Sequence, residues 1–187
     1  MRDRAATSNQ LYLIALIPDE ELCNRVRFLK EEMKSRFSSS HALKSPAHIT
    51  LQMPFRKSEN LEADMVQSLE KFAVKENAFQ LNLEGFDCFP PRVLFIKILE
   101  HEPVKTLQRQ LQYVLSNDLD FSEKELTKKI LPHMTIATRD LSEEAFQTAW
   151  PEFQKRQFKA TFQVQSLFLL KHNGKYWDIL NEFSFSQ

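Results

Sequence analysis

Two short motifs hold the residues best suited to chemistry: His48 and Thr50 in AHITL, and His133 and Thr135 in PHMTI. On a β-strand, residues i and i+2 point to the same face, so each histidine projects beside its threonine. A neutral imidazole can accept a proton from an attacking water, and an imidazolium can donate one to a departing oxygen. Threonine hydroxyls can donate hydrogen bonds to phosphate oxygens. The four residues therefore predict acid–base cleavage of a phosphate ester.

The motifs lie at matching places in an internal repeat, which explains how they could meet. Three pairs of segments match in order, at offsets of 83 to 85 residues: 12–16 with 95–99, 48–50 with 133–135, and 79–82 with 162–165. Three ordered matches at a nearly constant offset indicate duplication. The sequence thus predicts an α+β protein with two pseudo-symmetric lobes, about 11–86 and 93–185, within a single domain, 1–187.

Hydrophobic periodicity supplies the elements that must position the motifs. Short apolar runs predict strands, and a 3.6-residue period predicts helices. The charged run Lys30-Glu31-Glu32 is interpreted as a solvated helix face, and Asn173-Gly174 predicts a hairpin turn. The predicted strands are 11–17, 48–55, 79–86, 93–99, 133–138, 158–170 (bent) and 176–185. The predicted helices begin at Asp19, span 60–74, carry Val104 to Leu115, and span 142–153.

The motifs AHITL and PHMTI resemble the paired signatures of the two-histidine (2H) phosphoesterase superfamily. Within it, the chain is similar to the bacterial 2′-5′ RNA ligase / RNA 2′,3′-cyclic phosphodiesterase branch, from the LYLIALIP opening strand through FPPRVLFIKI to the closing sheet. The resemblance implies a bilobal fold, with two antiparallel sheets lining a central cleft and helices outside. It also implies opening of a 2′,3′-cyclic phosphate to a 2′-phosphate, with reverse 2′-5′ ligation. By the family pattern, His48 is the proton donor and His133 the acceptor.

Basic and aromatic side chains near the motifs are candidates for substrate contacts. Arginine and lysine can bind phosphate, and aromatic rings can stack on a base; the alternatives are surface charges and core packing. His101 is interpreted as a helix-start residue, and His172 as a turn residue near a basic patch with Lys175. The candidate contacts are Tyr12, His41, Lys44, Phe55, Arg56, Arg139 and Lys171, with Phe89 as a further stacking candidate.

Composition narrows the functional classes. The chain has 25 basic and 25 acidic residues, a balance that gives no sign of a long nucleic-acid footprint. Gly85 and Gly174 lie far apart, so no glycine-rich phosphate loop is present. No carboxylate or cysteine accompanies the histidines at ligand spacing, so we expect no metal and no cofactor.

We expect a monomeric cytoplasmic protein that acts on a small nucleotide or RNA end with a cyclic phosphate, and no membrane or protein partner is implied. Its first ten residues are polar, and Cys23 and Cys88 belong to no cysteine cluster. Many members of the branch carry an arginine just before the opening strand, where this chain has Gln10. Two alternatives stay open: a non-catalytic module that binds RNA or a phosphorylated metabolite, and a hydrolase of another cyclic phosphate such as an ADP-ribose derivative.

Overall fold

Eight strands and four helices make up residues 9–186, the part of the chain that the computed structural model describes. The polar start of the chain (1–8) and residue 187, which set the outer limits of the predicted domain, lie outside it. The strands are β1 Asn9–Leu16, β2 Ile49–Ser58, β3 Phe79–Phe89, β4 Val93–Ile98, β5 His133–Ala137, β6 Lys159–Val164, β7 Ser166–His172 and β8 Trp177–Ser184. The helices are α1 Glu20–Phe37, α2 Glu62–Ala73, α3 His101–Asp118 and α4 Glu143–Phe153.

The strands form two four-stranded antiparallel sheets, in the orders β2-β1-β7-β8 and β5-β4-β3-β6. This arrangement confirms the predicted α+β fold with two antiparallel sheets. The edge strands β2 and β5 carry the motifs, each beside the strand that begins its half of the repeat. Helix α1 packs against β5, and α3 packs against β2. Each of these helices therefore covers the sheet to which its preceding strand does not belong, and the two halves interlock.

The third match of the predicted repeat is wrong. Strands β3 and β6 do not occupy equivalent places in the two sheets, because they are direct neighbours and pair from Phe79–Val164 to Glu84–Lys159. The neighbour of β1 that corresponds to β3 is β7, which comes from the end of the chain. A four-residue alternation of apolar and polar side chains reports which faces of a strand are buried and does not identify its partner.

The predicted bent strand 158–170 is in fact two strands, β6 and β7, which belong to different sheets. Gln165 lies between them, and its carbonyl accepts the backbone N–H of Phe185 at 2.8 Å. The chain thus leaves the second sheet and completes the first one at this point. The break was invisible in the sequence because the apolar pattern continues across it.

Strand β1 separates two apolar clusters. Tyr12, Ile14 and Leu16 belong to the main core beneath the helices, whereas Leu13 and Ala15 pack with Leu170 on the other face of the sheet. A strand buried on both faces reads as a continuous apolar run, which is how LYLIALI appears in the sequence. The face that carries Leu13 points into the cavity that holds the two motifs.

Candidate active site

One cavity of about 670 Å³, here called the cleft, is lined by both sheets and contains all four predicted catalytic residues. His48 directly precedes β2, and Thr50 lies within it; His133 and Thr135 lie on β5. All four residues are half-buried. The structure therefore brings the two motifs together from the edges of two different sheets.

Each of the two histidines is held by a carbonyl two residues earlier in the chain. The distance from His48 Nδ1 to the Pro46 carbonyl oxygen is 2.9 Å, and that from His133 Nδ1 to the Leu131 carbonyl oxygen is 2.6 Å. Because a carbonyl can only accept, each Nδ1 carries the proton and donates it. In the neutral ring Nε2 then holds the lone pair. Both imidazoles have the same tautomer, and each can exchange a proton with a ligand through Nε2.

Burial lowers the pKa of both imidazoles. The pKa of His48 is lowered to about 4, first by burial and then by the positive charges of Lys30 and His133, against the opposing hydrogen bond to Pro46. Burial also lowers the pKa of His133, while its bond to the Leu131 carbonyl opposes the shift. Desolvation disfavours a charged imidazole in both cases.

Lys30 is buried behind His48, so its interpretation as part of a solvated helix face is wrong. It is 3% exposed, and its ammonium donates to the carbonyls of Ser45 and Pro46 at 3.0 and 3.1 Å. Burial lowers the pKa of Lys30 to about 8, so the ammonium is still charged at pH 7. The Pro46 carbonyl thus accepts from both Lys30 and His48.

The cleft is cationic although the chain is neutral overall. No aspartate or glutamate of residues 9–186 lines it. Four of the chain's five histidines do, including His172, which the sequence placed in a turn. Because low-dielectric walls strengthen the field of such groups, the site favours an anionic ligand. The lysines and arginine that line the cleft are Lys30, Lys44, Lys129, Arg139 and Lys175.

Three of the predicted substrate contacts line the cleft: His41, Lys44 and Arg139. The 3-10 turn His41–Lys44 is anchored by Asp140, whose carboxylate accepts the backbone N–H groups of Ser40 and His41, both at 2.8 Å. Arg139 adopts φ 59°, a left-handed conformation that is uncommon for a residue other than glycine. This turn joins the two motifs, because Asp140 follows β5 while His41 precedes β2.

Three predicted substrate contacts lie outside the cleft, on the opposite face of the first sheet. Tyr12 is fully buried, donates its hydroxyl to Glu62 Oε1 at 2.6 Å, and stacks on Phe55 with 5.8 Å between ring centroids. The ammonium of Lys171 donates to carboxylates of Glu59 and Glu62 at 2.7 and 2.6 Å. These expectations are corrected: two rings belong to the core, and the lysine closes a polar cluster over α2.

Arg56 is also absent from the cleft. It lines an adjoining depression of about 590 Å³, together with Gln10 and His172. The register explains this position, because Arg56 pairs with Leu11 near the outer end of β1 and β2, several residues beyond Thr50. His172 and Leu11 line both cavities, so the depression continues the cleft outward.

The sequence did not reveal the apolar wall of the cleft. Met53 and Leu131 line it and are 55% and 45% exposed. The ring of Phe89, named as a stacking candidate, meets the His133 imidazole edge to face at 5.1 Å, and Phe95 lies against the same imidazole at 4.8 Å. Exposed apolar residues that line a cleft are a usable signal only once the fold has placed them there.

Within residues 9–186, no group of three or more histidine, cysteine, aspartate or glutamate side chains is arranged to hold a metal ion. None of the described helices combines the length and apolar character needed to cross a membrane.

The family model of the 2′-5′ RNA ligase superfamily matches residues 18–175. Two curated relatives, both named "Putative phosphoesterase", are similar along nearly their whole length. The protein from Geobacillus sp. (strain WCH70) is 29% identical over 92% of this chain and 94% of its own. The protein from Oceanobacillus iheyensis is 23% identical over 92% of this chain and 96% of its own.

Solved structures share the fold. TT0787 of Thermus thermophilus is 21% identical and covers 93% of this chain with a TM-score of 0.65, over 97% of its own chain. LigT of E. coli, in its complex with 3′-AMP, is 13% identical and covers 96% of this chain with a TM-score of 0.67, over 100% of its own chain. Given the match to the family model, this chain belongs to the 2′-5′ RNA ligase superfamily, the two-histidine phosphoesterases.

Proposed function

We propose that this phosphoesterase opens 2′,3′-cyclic phosphates of nucleotides or RNA ends to 2′-phosphates by metal-independent acid–base catalysis. One observation carries the proposal. His48 and His133 donate through Nδ1 to backbone carbonyls, which leaves both Nε2 atoms for a ligand in one cleft that no carboxylate of residues 9–186 lines. Because both rings have the same tautomer, either Nε2 can accept a proton as a base, and either can donate one as an acid once it is protonated.

The reaction uses each group once. The oxygen of a water attacks phosphorus while one neutral imidazole takes a water proton on Nε2. The bond from phosphorus to the 3′ oxygen breaks, and the other histidine, protonated before the reaction, gives its Nε2 proton to that oxygen. Thr50 and Thr135 lie beside the histidines and donate hydroxyl hydrogens to the two free phosphate oxygens. The product is a 2′-phosphate with a free 3′-hydroxyl.

The same geometry supports the reverse ligation. If a ribose 5′-hydroxyl attacks phosphorus in place of water, the same base takes its proton, the same acid protonates the departing 3′ oxygen, and a 2′-5′ linkage forms from the cyclic phosphate. In cleavage of that linkage back to the cyclic phosphate, the acid and the base exchange roles. Microscopic reversibility requires both directions to pass through the same arrangement of Nε2 atoms.

The cleft suits a nucleotide by size and charge. Its volume of about 670 Å³ lies within the range of small-molecule sites. Lys44 and Arg139 can bind the phosphate, and the apolar wall around Phe89 can take a base. Structures of E. coli LigT hold 3′-AMP, NADP+ and ATP, which are phosphorylated nucleotides of different lengths. This chain shares that fold, so we infer a nucleotide ligand for its cleft as well.

The test is a substrate panel. The protein is incubated with 2′,3′-cyclic mononucleotides, oligonucleotides that end in a cyclic phosphate, and cyclic phosphates of ADP-ribose, with EDTA and without it. Phosphorus NMR identifies the product isomer. A 2′-phosphate formed at equal rates in both conditions supports the proposal. Tight binding of the cyclic nucleotides without turnover would favour a binding module, and loss of activity in EDTA would overturn the metal-free mechanism.

A further inference from the structure

The two halves of the cleft hold their histidines in the same way but support them differently. The segment before His48 is held from α1 by the ammonium of Lys30, which donates to Ser45 and Pro46. The segment before His133 is held from α3 by neutral amides, at Thr127, which lies four residues before Leu131. Gln108 donates to the Thr127 carbonyl at 2.5 Å, and the side-chain oxygen of Gln112 accepts the Thr127 N–H at 2.9 Å.

This difference places a buried positive charge on one side of the pseudo-symmetric site only. Lys30 has no carboxylate partner among residues 9–186, and both of its acceptors are neutral carbonyls. Since it is almost fully buried, its charge is poorly screened by water. His48 shares the Pro46 carbonyl with it and therefore experiences this charge at close range.

We propose that Lys30 is a positioning residue that makes His48 the general base and leaves His133 as the general acid. This inference rests on the proposed function and reverses the roles that the family pattern implies. A second positive charge on His48 is disfavoured beside the ammonium, so the one catalytic proton resides on His133. The His133 imidazolium would also lie against the rings of Phe89 and Phe95, whose π-electrons favour a nearby cation.

This assignment fixes the direction of both proton transfers. His48 Nε2 takes the proton of the attacking water as the new phosphorus–oxygen bond forms. His133 Nε2 gives its proton to the 3′ oxygen as the old bond breaks. The reaction ends with His48 protonated and His133 neutral, and proton exchange with solvent restores the starting state.

Several groups act on these two histidines. His48 faces Lys30 from α1 and His133 from β5. Cys23, on α1 itself, acts on Lys30. The remaining titratable groups that line the cleft are His41, Lys44, Lys129, Arg139, His172 and Lys175. All of these except Lys30 are unchanged in the two Lys30 variants below, so a change in the titration of His48 reports on Lys30.

The experiment compares Lys30→Met, which removes the charge, with Lys30→Arg, which keeps it. Lys34→Met is the matched control, because Lys34 lies on the same helix, its side chain is 57% exposed, and it pairs with Glu31. Long-range proton–nitrogen NMR follows the imidazoles of each protein from pH 3.5 to 8 without substrate, with His48→Gln and His133→Gln used for assignment. The pH dependence of kcat/KM is measured on the substrate that the panel identifies, and thermal unfolding checks the fold.

In the wild type we expect His48 to titrate at lower pH than His133. In Lys30→Met the titration of His48, and with it the acidic limb of the kcat/KM profile, should move to higher pH by on the order of one unit. The Arg variant and the control should keep the wild-type limb. A purely structural role for Lys30 would lower the rate without moving the limb.

Two outcomes overturn the inference while the proposed function stands: a wild type in which His133 titrates below His48, or a folded Lys30→Met protein with an unmoved His48. If no cyclic phosphate is hydrolysed, the proposed function falls and the base and acid roles fall with it. The NMR titration then still decides whether Lys30 sets the charge state of His48. The two failures are therefore distinguishable.

Discussion

At the scale of single residues, the proposed chemistry depends on a backbone hydrogen bond to each histidine. A strand that begins at or just after a histidine places the carbonyl of residue i−2 beside Nδ1, and this occurs in both motifs. The carbonyl selects the tautomer without a carboxylate partner, and in the described part of the chain no aspartate or glutamate lines the cleft, where it would repel a phosphate. The sequence could predict that the two histidines line one cleft, but it could not predict their tautomer, because nothing in the residue types of Pro46 and Leu131 indicates that their carbonyls accept from an imidazole.

Removal of either catalytic imidazole should abolish most of the activity. His48→Ala and His133→Ala should each lower kcat by ~10²–10⁴-fold, since one proton transfer loses its carrier. Steady-state hydrolysis of a 2′,3′-cyclic nucleotide measures the loss. His101→Ala is the matched control, because His101 begins α3 and does not line the cleft. Equal activity in all three variants would contradict the two-histidine mechanism.

His48 should also make the fold sensitive to mild acid. Its pKa is about 4 in the folded chain, against an ordinary value of 6.5. Between these values the unfolded chain binds a proton that the folded chain does not, so the free energy of unfolding falls as the pH drops. The loss attributable to His48 should reach about 3 kcal/mol by pH 4.

Urea unfolding of the wild type and His48→Gln at pH 7, 5.5 and 4.5 measures this loss. The variant should lose less stability than the wild type over this range, and His101→Gln should follow the wild type. Glu125 affects the free energy of unfolding only at lower pH. Hydrogen bonds from Ser122 lower its pKa to about 2, so its contribution to stability is lost only below about pH 4.5. Parallel pH curves for His48→Gln and the wild type would rule out a buried neutral His48.

At the scale of elements, the structure shows what periodicity can and cannot predict. Helix α1 begins where the sequence indicates, because Asp19 accepts the N–H of Leu22 at 2.8 Å as its cap. The hairpin at Asn173 also forms, with its N–H bonded to the Tyr176 carbonyl at 2.9 Å. Strand partners were not predictable, as β3 and β6 demonstrate, since pairing depends on contacts far apart in the chain. Lys30 was misinterpreted because a charged triplet on a helix gives no indication of a buried carbonyl acceptor nearby.

The turn that bears His41 and Lys44 should depend on Asp140. Asp140→Ala leaves the Ser40 and His41 N–H groups without their acceptor, so we expect a loss of about 1–2 kcal/mol of stability. Because the turn carries two of the proposed substrate contacts and neither of the two proposed catalytic histidines, KM should rise more than kcat falls. Chemical unfolding and steady-state kinetics measure the two effects. Asp64→Ala, which removes an exposed carboxylate from the first turn of α2, is the control: it should leave KM unchanged and cost less stability than Asp140→Ala.

At the scale of the whole molecule, charge is distributed unevenly. A net charge of zero predicted no long nucleic-acid footprint, yet five lysine and arginine side chains line one cleft. The net charge is a sum over the whole chain and does not say which charged side chains lie together in the fold. The electrostatic character of the cleft therefore could not be predicted from composition. The interlocking of the two halves was likewise not predictable from composition, because β7 and β8 return from the end of the chain to complete the first sheet.

The cleft charge should make catalysis depend on salt. Exposed cations attract an anionic substrate over about 8–10 Å at moderate ionic strength, and salt screens this attraction. We expect kcat/KM of the wild type to fall between 20 and 200 mM NaCl, on the order of a few-fold. A Lys44→Gln, Arg139→Gln double variant should lose on the order of 10- to 100-fold in kcat/KM at low salt, with a flatter salt dependence. Lys71→Gln with Lys75→Gln removes the same net charge from exposed positions at the end of α2 and should keep the wild-type slope. If both double variants flattened the slope equally, net charge rather than the cleft would govern substrate capture.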